Sequence, residues 1–317
     1  MPTGFDYPAF FATANTVARS SFDEMFTGGY QSPSFGVIAE VVPGLNAQTL
    51  ENNIVGPVAL LREWTGMKQF KMVRAYKNSA DTKAYEASMS FRRRDLIGAG
   101  GDLILKRLGD LAVANRGGME RLASAYRDTN PTGYDGVALY SASHPHATES
   151  GGTQSNLTAL DLSASALDQA MYTASLLTLE NGDPADVSID CIEVGPKLLK
   201  RALELAEADQ RVASFDQDGK IDSGWRVGGA AVVNVFQGRL KVIENKRLTG
   251  YTWYTHDGSK SAKSVIVGVN RPFELIKNWD MDSHARFMND ELQTSIEGDL
   301  ILLAGDWHVT QKHVGTA

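Results

Sequence analysis

The sequence predicts an α+β fold, and three observations carry that reading. They are an alternating basic segment that reads as a β-hairpin, one long amphipathic helix directly after it, and a later order of helix, strand, helix and strand meander. In the hairpin, residues 70 to 76 and 85 to 91 alternate bulky with polar side chains. Tyr85, Ala87, Met89 and Phe91 fall on one side, and Glu86, Ser88, Ser90 and Arg92 on the other, as a half-exposed strand requires. Asn78-Ser79-Ala80-Asp81 supplies turn chemistry between the strands. Residues 62 to 94 hold nine Lys/Arg against three Asp/Glu, so the segment carries +6 in a chain of net −7 and the remainder carries −13. A two-stranded hairpin is marginal alone in water, and this one has little apolar surface for a core of its own. It is expected to project and to lie on something acidic, most economically a neighbouring copy of the chain.

The helix is the strongest periodic signal. Leu108, Leu111, Ala112, Asn115, Met119, Leu122, Ala123 and Tyr126 recur at three- and four-residue steps, all apolar but Asn115. Asp102 sits where an N-cap belongs, and Asn130-Pro131 marks the stop. A helix of about 25 residues spans roughly 37 Å. Gly117-Gly118 in its middle costs on the order of 1 kcal/mol per glycine and predicts a bend or a close contact.

Further along, Ser163 caps a helix with Leu167, Ala170, Met171, Ala174 and Leu177 on one stripe, ended by Asn181-Gly182. A strand follows over residues 187 to 194, then a helix opened by Pro196 with Leu198, Leu199, Ala202, Leu203 and Ala206 inward. After a polar loop come short strands near 230–236, 240–243, 251–255 and 265–269. The apolar run Leu300-Ile301-Leu302-Leu303 is expected to return as a strand beside the long helix. Residues 1 to 53, with a short helix near 13 to 25, read as an arm that gains order from neighbours, since Pro33, Pro43 and Pro57 bar any long element.

Composition narrows the function. At 317 residues, 43% hydrophobic and 22% charged, the chain has apolar material for one or two cores. No run approaches the roughly 18 apolar residues of a membrane span, and no basic-then-apolar leader opens it, so no membrane partner and a cytoplasmic site of synthesis are expected. Cys191, the single cysteine, excludes an intrachain disulfide; it alternates with Val187 and Ile189, as a buried structural thiol would. Net acidity argues against a nucleic-acid reader with a basic face, though not against a container for DNA.

No catalytic or cofactor constellation stands out. His144 and His146 flank a proline without a carboxylate cluster at ligand spacing. Gly98-Ala99-Gly100-Gly101 precedes a helix but lacks the Lys-Ser/Thr pair of a phosphate loop. Asp216, Asp218 and Asp222 suggest a calcium loop, yet the glycine falls at the fourth position and Val227 stands where the bidentate Glu belongs. No enzyme, no cofactor and no metal are therefore expected. The candidate contact residues are the basic ones of the hairpin, Lys71, Arg74, Lys77 and Lys83, with Arg92-Arg93-Arg94 at its end, whose guanidinium forks suit bidentate ion pairs between subunits.

Gly56-Pro57-Val58-Ala59-Leu60-Leu61-Arg62-Glu63-Trp64-Thr65-Gly66, Tyr85-Glu86, Arg93-Arg94-Asp95, Tyr134-Asp135-Gly136-Val137-Ala138-Leu139-Tyr140-Ser141, His144-Pro145, Asn156 and Leu162-Ser163-Ala164 together resemble the Mu-type phage major head subunit over about residues 20 to 310. The resemblance implies the tailed-phage capsid fold (Hong Kong 97 type), with an arm, an extended hairpin, a spine helix and an inserted axial domain. It divides the chain into an N-terminal arm (1–53), an extended hairpin (54–98), a peripheral domain with the spine helix (99–158), an axial domain (159–274) and a return to the peripheral domain (275–317). The implied function is a structural major capsid protein of a phage head. Copies of itself, as pentamers and hexamers, would build an icosahedral shell around double-stranded DNA without sequence-specific binding, with portal, scaffold and protease proteins as further partners. The protein would end in the virion after assembly in the host cytoplasm. Lys68, Lys71, Lys77 and Lys83 would be available for covalent linking, though the sequence names no acceptor. A protein-cargo shell of the same fold and a soluble α+β hydrolase stay open as alternatives.

Overall fold

The computed structural model describes residues 7–22, 32–44, 49–55, 66, 75–92, 95, 100–115, 117–146, 152–179, 182–208, 210–212, 231–279 and 289–316. The first half runs through α1 (Tyr7–Phe22), α2 (Pro33–Ile38), β1 (Ala39–Val42), β2 (Thr49–Val55), β3 (Ala75–Asp81), β4 (Lys83–Arg92), α3 (Gly100–Asn115) and α4 (Gly118–Asp128). The middle holds β5 (His144–His146), β6 (Gly152–Gln154), β7 (Leu157–Thr158), α5 (Ala164–Ser175), β8 (Cys191–Val194), α6 (Leu199–Ala206), β9 (Gln210–Val212), β10 (Ala231–Val233), β11 (Lys241–Glu244) and β12 (Thr252–His256). Two long strands, β13 (Val265–Asn278) and β14 (Glu291–Ala304), and a short one, β15 (Thr310–Val314), complete the chain.

Two sheets organise these elements. The first has the order β1-β13-β14-β4, with β1 parallel to β13 and the other neighbours antiparallel. The spine helix lies against it. Met119, Leu122, Ala123 and Tyr126 share a core with Val265, Val267 and Leu300 and with Phe35 and Ile38 of α2. Leu111 meets Ile296, Phe273 and Leu275. The expected stripe and its contact with the 300–303 run are thus both present.

The spine helix is two helices. α3 starts at Gly100, which places Asp102 inside the first turn instead of at the cap, and α4 starts at Gly118 with Gly117 at φ −88°, ψ 18°. The break falls at the glycine pair because an unsubstituted backbone loses least by leaving the helix there.

The hairpin differs from its sequence reading. β3 pairs with β2, from Thr49↔Asp81 to Val55↔Ala75, and β4 pairs with β14, from Arg92↔Glu291 to Lys83↔Leu300. Asn78-Ser79-Ala80-Asp81 is the end of β3, not a turn, and only Thr82 separates the strands. The reason lies in the alternating face of β4. Beside β14, its Tyr85 joins the core of Leu122 and Leu300, while Met89 and Phe91 join that of Leu108 and Leu275. Paired with β3 alone, they would face water. Ala80 packs with Ile266, Ile301 and Leu303, and Asn78 Nδ2 donates to the Ala304 carbonyl (3.2 Å), so β3 is anchored at its end too. The expectation that residues 83 to 92 project from the subunit is overturned.

The N-terminal arm also differs. α1 begins before residue 13 and ends at Phe22, and it docks on its own chain: Ala14 and Ala18 are buried against Leu108 of α3, and Phe11 stacks on Trp279 (5.9 Å). Small residues on α1 let the two helices approach closely.

The second sheet has the order β11-β8-β12-β15-β7. α5 and α6 cover one face, burying Leu167, Ala170, Ala202 and Leu205 with Ile192 and Trp253. Ser163 caps α5 as expected, its Oγ accepting from Ala166 N (3.1 Å), but the helix stops at Ser175, ahead of Asn181-Gly182. Cys191 is buried in β8, and burial pushes its thiol up to about 12, so it is inert at neutral pH.

Candidate functional site

Arg127 at the end of α4 and Glu193 in β8 are 0% and 1% exposed. Arg127 Nη1 and Nη2 donate to Glu193 Oε2 (2.5 Å) and Oε1 (3.0 Å), a bidentate pair. His256 Nε2 donates to Oε2 (2.8 Å) and Asn245 Nδ2 to Oε1 (2.6 Å), so the carboxylate is fully engaged. Tyr254 lies under the guanidinium at 4.0 Å. Burial acts to raise the Glu193 carboxyl, but the Arg127 charge and these hydrogen bonds hold it well below the usual carboxylate range. Burial likewise works against the Arg127 cation, and the Glu193 charge more than compensates, raising it. For His256, burial outweighs the Glu193 contact and lowers it, so the ring is neutral and donates from Nε2. No substrate could enter this cluster; it bolts the spine helix to the second sheet.

Three of the residues that carry the family resemblance, Asp135, His144 and Asn156, meet in a second cluster. His144 is buried, with Nδ1 2.6 Å from Asp135 Oδ2 and Nε2 3.1 Å from Asn156 Oδ1. Asn156 Nδ2 donates to the carbonyls of Leu139 (2.8 Å), Trp307 (3.1 Å) and Thr310 (3.3 Å). The Trp307 ring stacks on His144 (3.9 Å, 2°) and on His308 (3.7 Å, 23°); two near-parallel rings this close must lie on opposite faces of the indole. Gly136, at φ +79°, permits the turn that aims Asp135 at His144. The Tyr-Asp-Gly, His-Pro and Asn156 motifs therefore tie residues 135 to 144 and Asn156 to the C-terminal segment at Trp307 and Thr310.

Of the candidate contact residues, Lys83 and Arg92 are exposed on β4, Arg92 opposite Glu291 in register. Lys77 lies in β3; Lys71, Arg74, Arg93 and Arg94 lie outside the described residues, as do Lys68 and the 216–222 acidic run. Of the candidates, the described ones are Lys77 on β3 and Lys83 and Arg92 on β4. Among the described residues no group of His, Cys, Asp and Glu could hold a metal, and no helix is long and apolar enough to cross a membrane. The sequence reading missed Arg127 and Glu193. Their signal was a charge in the middle of an apolar pattern: Arg127 falls four residues after Ala123 on the inward stripe, and Glu193 interrupts Cys191-Ile192-Val194.

Solved structures give the class. The chain is similar to one from the procapsid of bacteriophage JBD30 (16% identity, TM-score 0.56, covering 98% of this chain and 77% of that one). It is similar also to chains of Mycobacterium phage Patience (11%, 0.52, 100% and 90%) and Mycobacterium phage Bobi (11%, 0.50, 91% and 91%). No curated protein sequence matches it. The fold is therefore that of the tailed-phage capsid subunits, the Hong Kong 97 type. The sequence pattern of the Mu-like prophage major head subunit gpT matches residues 14–172, half of the chain, and the protein belongs to that family. It is a structural capsid protein.

Proposed function

We propose that this capsid protein is the repeating unit of an icosahedral shell, arranged as pentamers and hexamers around double-stranded DNA, and that it catalyses nothing. The observation that carries the reading is the β2–β3 ribbon, two strands that pair with each other and, among the described residues, add to no larger sheet. Such a ribbon is marginal alone and gains stability when a neighbour covers it. The four-stranded sheet with α3 and α4 serves as the peripheral domain, and the five-stranded sheet with α5 and α6 as the axial one. Lys71, Arg74, Lys77, Lys83, Arg92, Arg93 and Arg94 act as inter-subunit contacts. The hairpin boundary moves accordingly, from residues 54–98 to a ribbon based at Thr49 and Asp81. Assembly takes place in the host cytoplasm with portal, scaffold and protease proteins. The test is electron microscopy and size-exclusion chromatography of purified protein, followed by nuclease treatment of particles from infected or induced cells. Closed shells holding nuclease-resistant DNA are expected. A monomer under all conditions overturns the shell, and particles filled with protein instead of DNA overturn the genome-container reading.

A further inference from the structure

The break in the spine helix is occupied. Arg247, in the turn after β11, places Nη1 on Glu120 Oε1 (2.7 Å) and Nη2 on the Gly117 carbonyl (3.3 Å). Glu120, in the first turn of α4, also accepts from Ser32 Oγ at Oε2 (2.5 Å) and from Ser34 Oγ at Oε1 (2.7 Å), and Ser32 is the N-cap of α2. Behind Arg247, its backbone N–H donates to Asn245 Oδ1 (3.0 Å), whose Nδ2 reaches Ser124 (3.1 Å) and Glu193 (2.6 Å). One polar chain thus runs from α2 through the helix break to the buried Arg127–Glu193 pair.

A Cβ at position 117 would lie 2.8 Å from Arg247 Nη2, so a side chain there would displace the guanidinium tip from the Gly117 carbonyl. The charges suit the place. A cation is favoured beside the C-terminal end of α3, and Glu120 is favoured in the first turn of α4, where it also neutralises Arg247 against the positive end of that helix. Unlike the buried pair, this one meets solvent: the Arg247 side chain is 34% exposed and that of Glu120 12%.

We propose that Arg247 is a positioning residue, a clasp that fixes the angle between α3 and α4 and so the curvature at which neighbouring subunits meet. The role in curvature rests on the shell reading above; the clasp itself does not. Without it the turn at Gly117 loses its polar tie to Glu120 of α4, and only the packing of each half on the first sheet and on α1 sets the angle. Because the ion pair is partly exposed, salt loosens it.

The test compares Arg247→Met, which keeps much of the stem and removes the charge, with the parent and with Arg247→Lys. Glu120→Gln, which keeps the hydrogen-bonding shape, stands in if Arg247→Met does not fold. In unassembled subunits, amide hydrogen exchange at residues 118 to 121 is expected to accelerate about tenfold in Arg247→Met and to be partly restored in Arg247→Lys. In assembled particles, cryo-electron microscopy is expected to show a changed α3–α4 angle and a broadened diameter distribution. Unchanged exchange overturns the clasp. Faster exchange with the parent's angle and diameters overturns its role in curvature. A parent that forms no shells overturns the shell reading, while the exchange measurement still decides the clasp.

Discussion

Arg127 and Glu193 show how a buried charge is tolerated at the scale of one residue. Removing either leaves the other unpaired in a fully buried site, which costs about 3–5 kcal/mol. Glu193→Gln is therefore expected to lower the unfolding free energy by that amount in denaturant titration. The double change Arg127→Met with Glu193→Leu should cost less than either single removal, since no charge is then stranded. His313 gives a pH dependence of known sign. It stacks on Trp253 (3.9 Å), with Nδ1 2.6 Å from Thr158 Oγ1 and Nε2 3.2 Å from Thr255 Oγ1, and burial lowers it to about 3. Its folded pKa lies below the unfolded value of about 6.5, so the unfolded chain binds the extra proton first. Stability is full above that value and falls as pH drops toward 3. Glu193, also depressed, adds to the loss at the acid end. Thermal melts of His313→Gln should show a shallower decline between pH 6.5 and 4 than the parent. An equal slope in both would remove His313 from the account.

At the scale of the element, the spine helix was legible and the hairpin was not. Leu108 to Tyr126 repeat at helical spacing over several turns, and the glycine pair marks the break; both are local facts that a sequence carries openly. Strand pairing is not local. The alternation of Tyr85, Ala87, Met89 and Phe91 revealed a strand with one apolar face, but not that its partner lies at residues 291 to 304 instead of 70 to 76. Nearness in sequence favours a hairpin, and burial overrides it here. Leu111 tests the packing that results. It is half-buried against Ile296, Phe273 and Leu275, so Leu111→Ala should cost about 2 kcal/mol, near the lower end for buried leucines. An unchanged denaturation midpoint would place that side chain outside the core.

The molecule as a whole is acidic with a basic segment, and that imbalance was readable from composition alone. What composition hid is that, among the described residues, Lys77 lies on the β2–β3 ribbon while Lys83 and Arg92 stand on β4 at the edge of the first sheet. Exposed ion pairs contribute about 0–1 kcal/mol each, yet a shell repeats every contact. The Debye length falls from about 8 Å at 0.15 M salt to about 3 Å at 1 M. Light scattering of refolded subunits should accordingly show assembly weakening with salt, and Arg92, Arg93 and Arg94 changed together to Glu should weaken it further, because repulsion then replaces screened attraction. A triple variant that assembles like the parent would assign these arginines to a solvated face.

The order of strands in the first sheet sets a clock on the ribosome. β14, one of the two inner strands, is made about 200 residues after its neighbour β4. At roughly 5–20 residues per second, the delay is about 10–40 s. During that interval Leu122 and Met119 lack Leu300 of their core, and the ribbon at Thr49 and Asp81 has no Ala304 carbonyl to hold Asn78. A nascent chain therefore completes its first sheet, and fixes the edge that carries Lys83 and Arg92, only after β14 has been made.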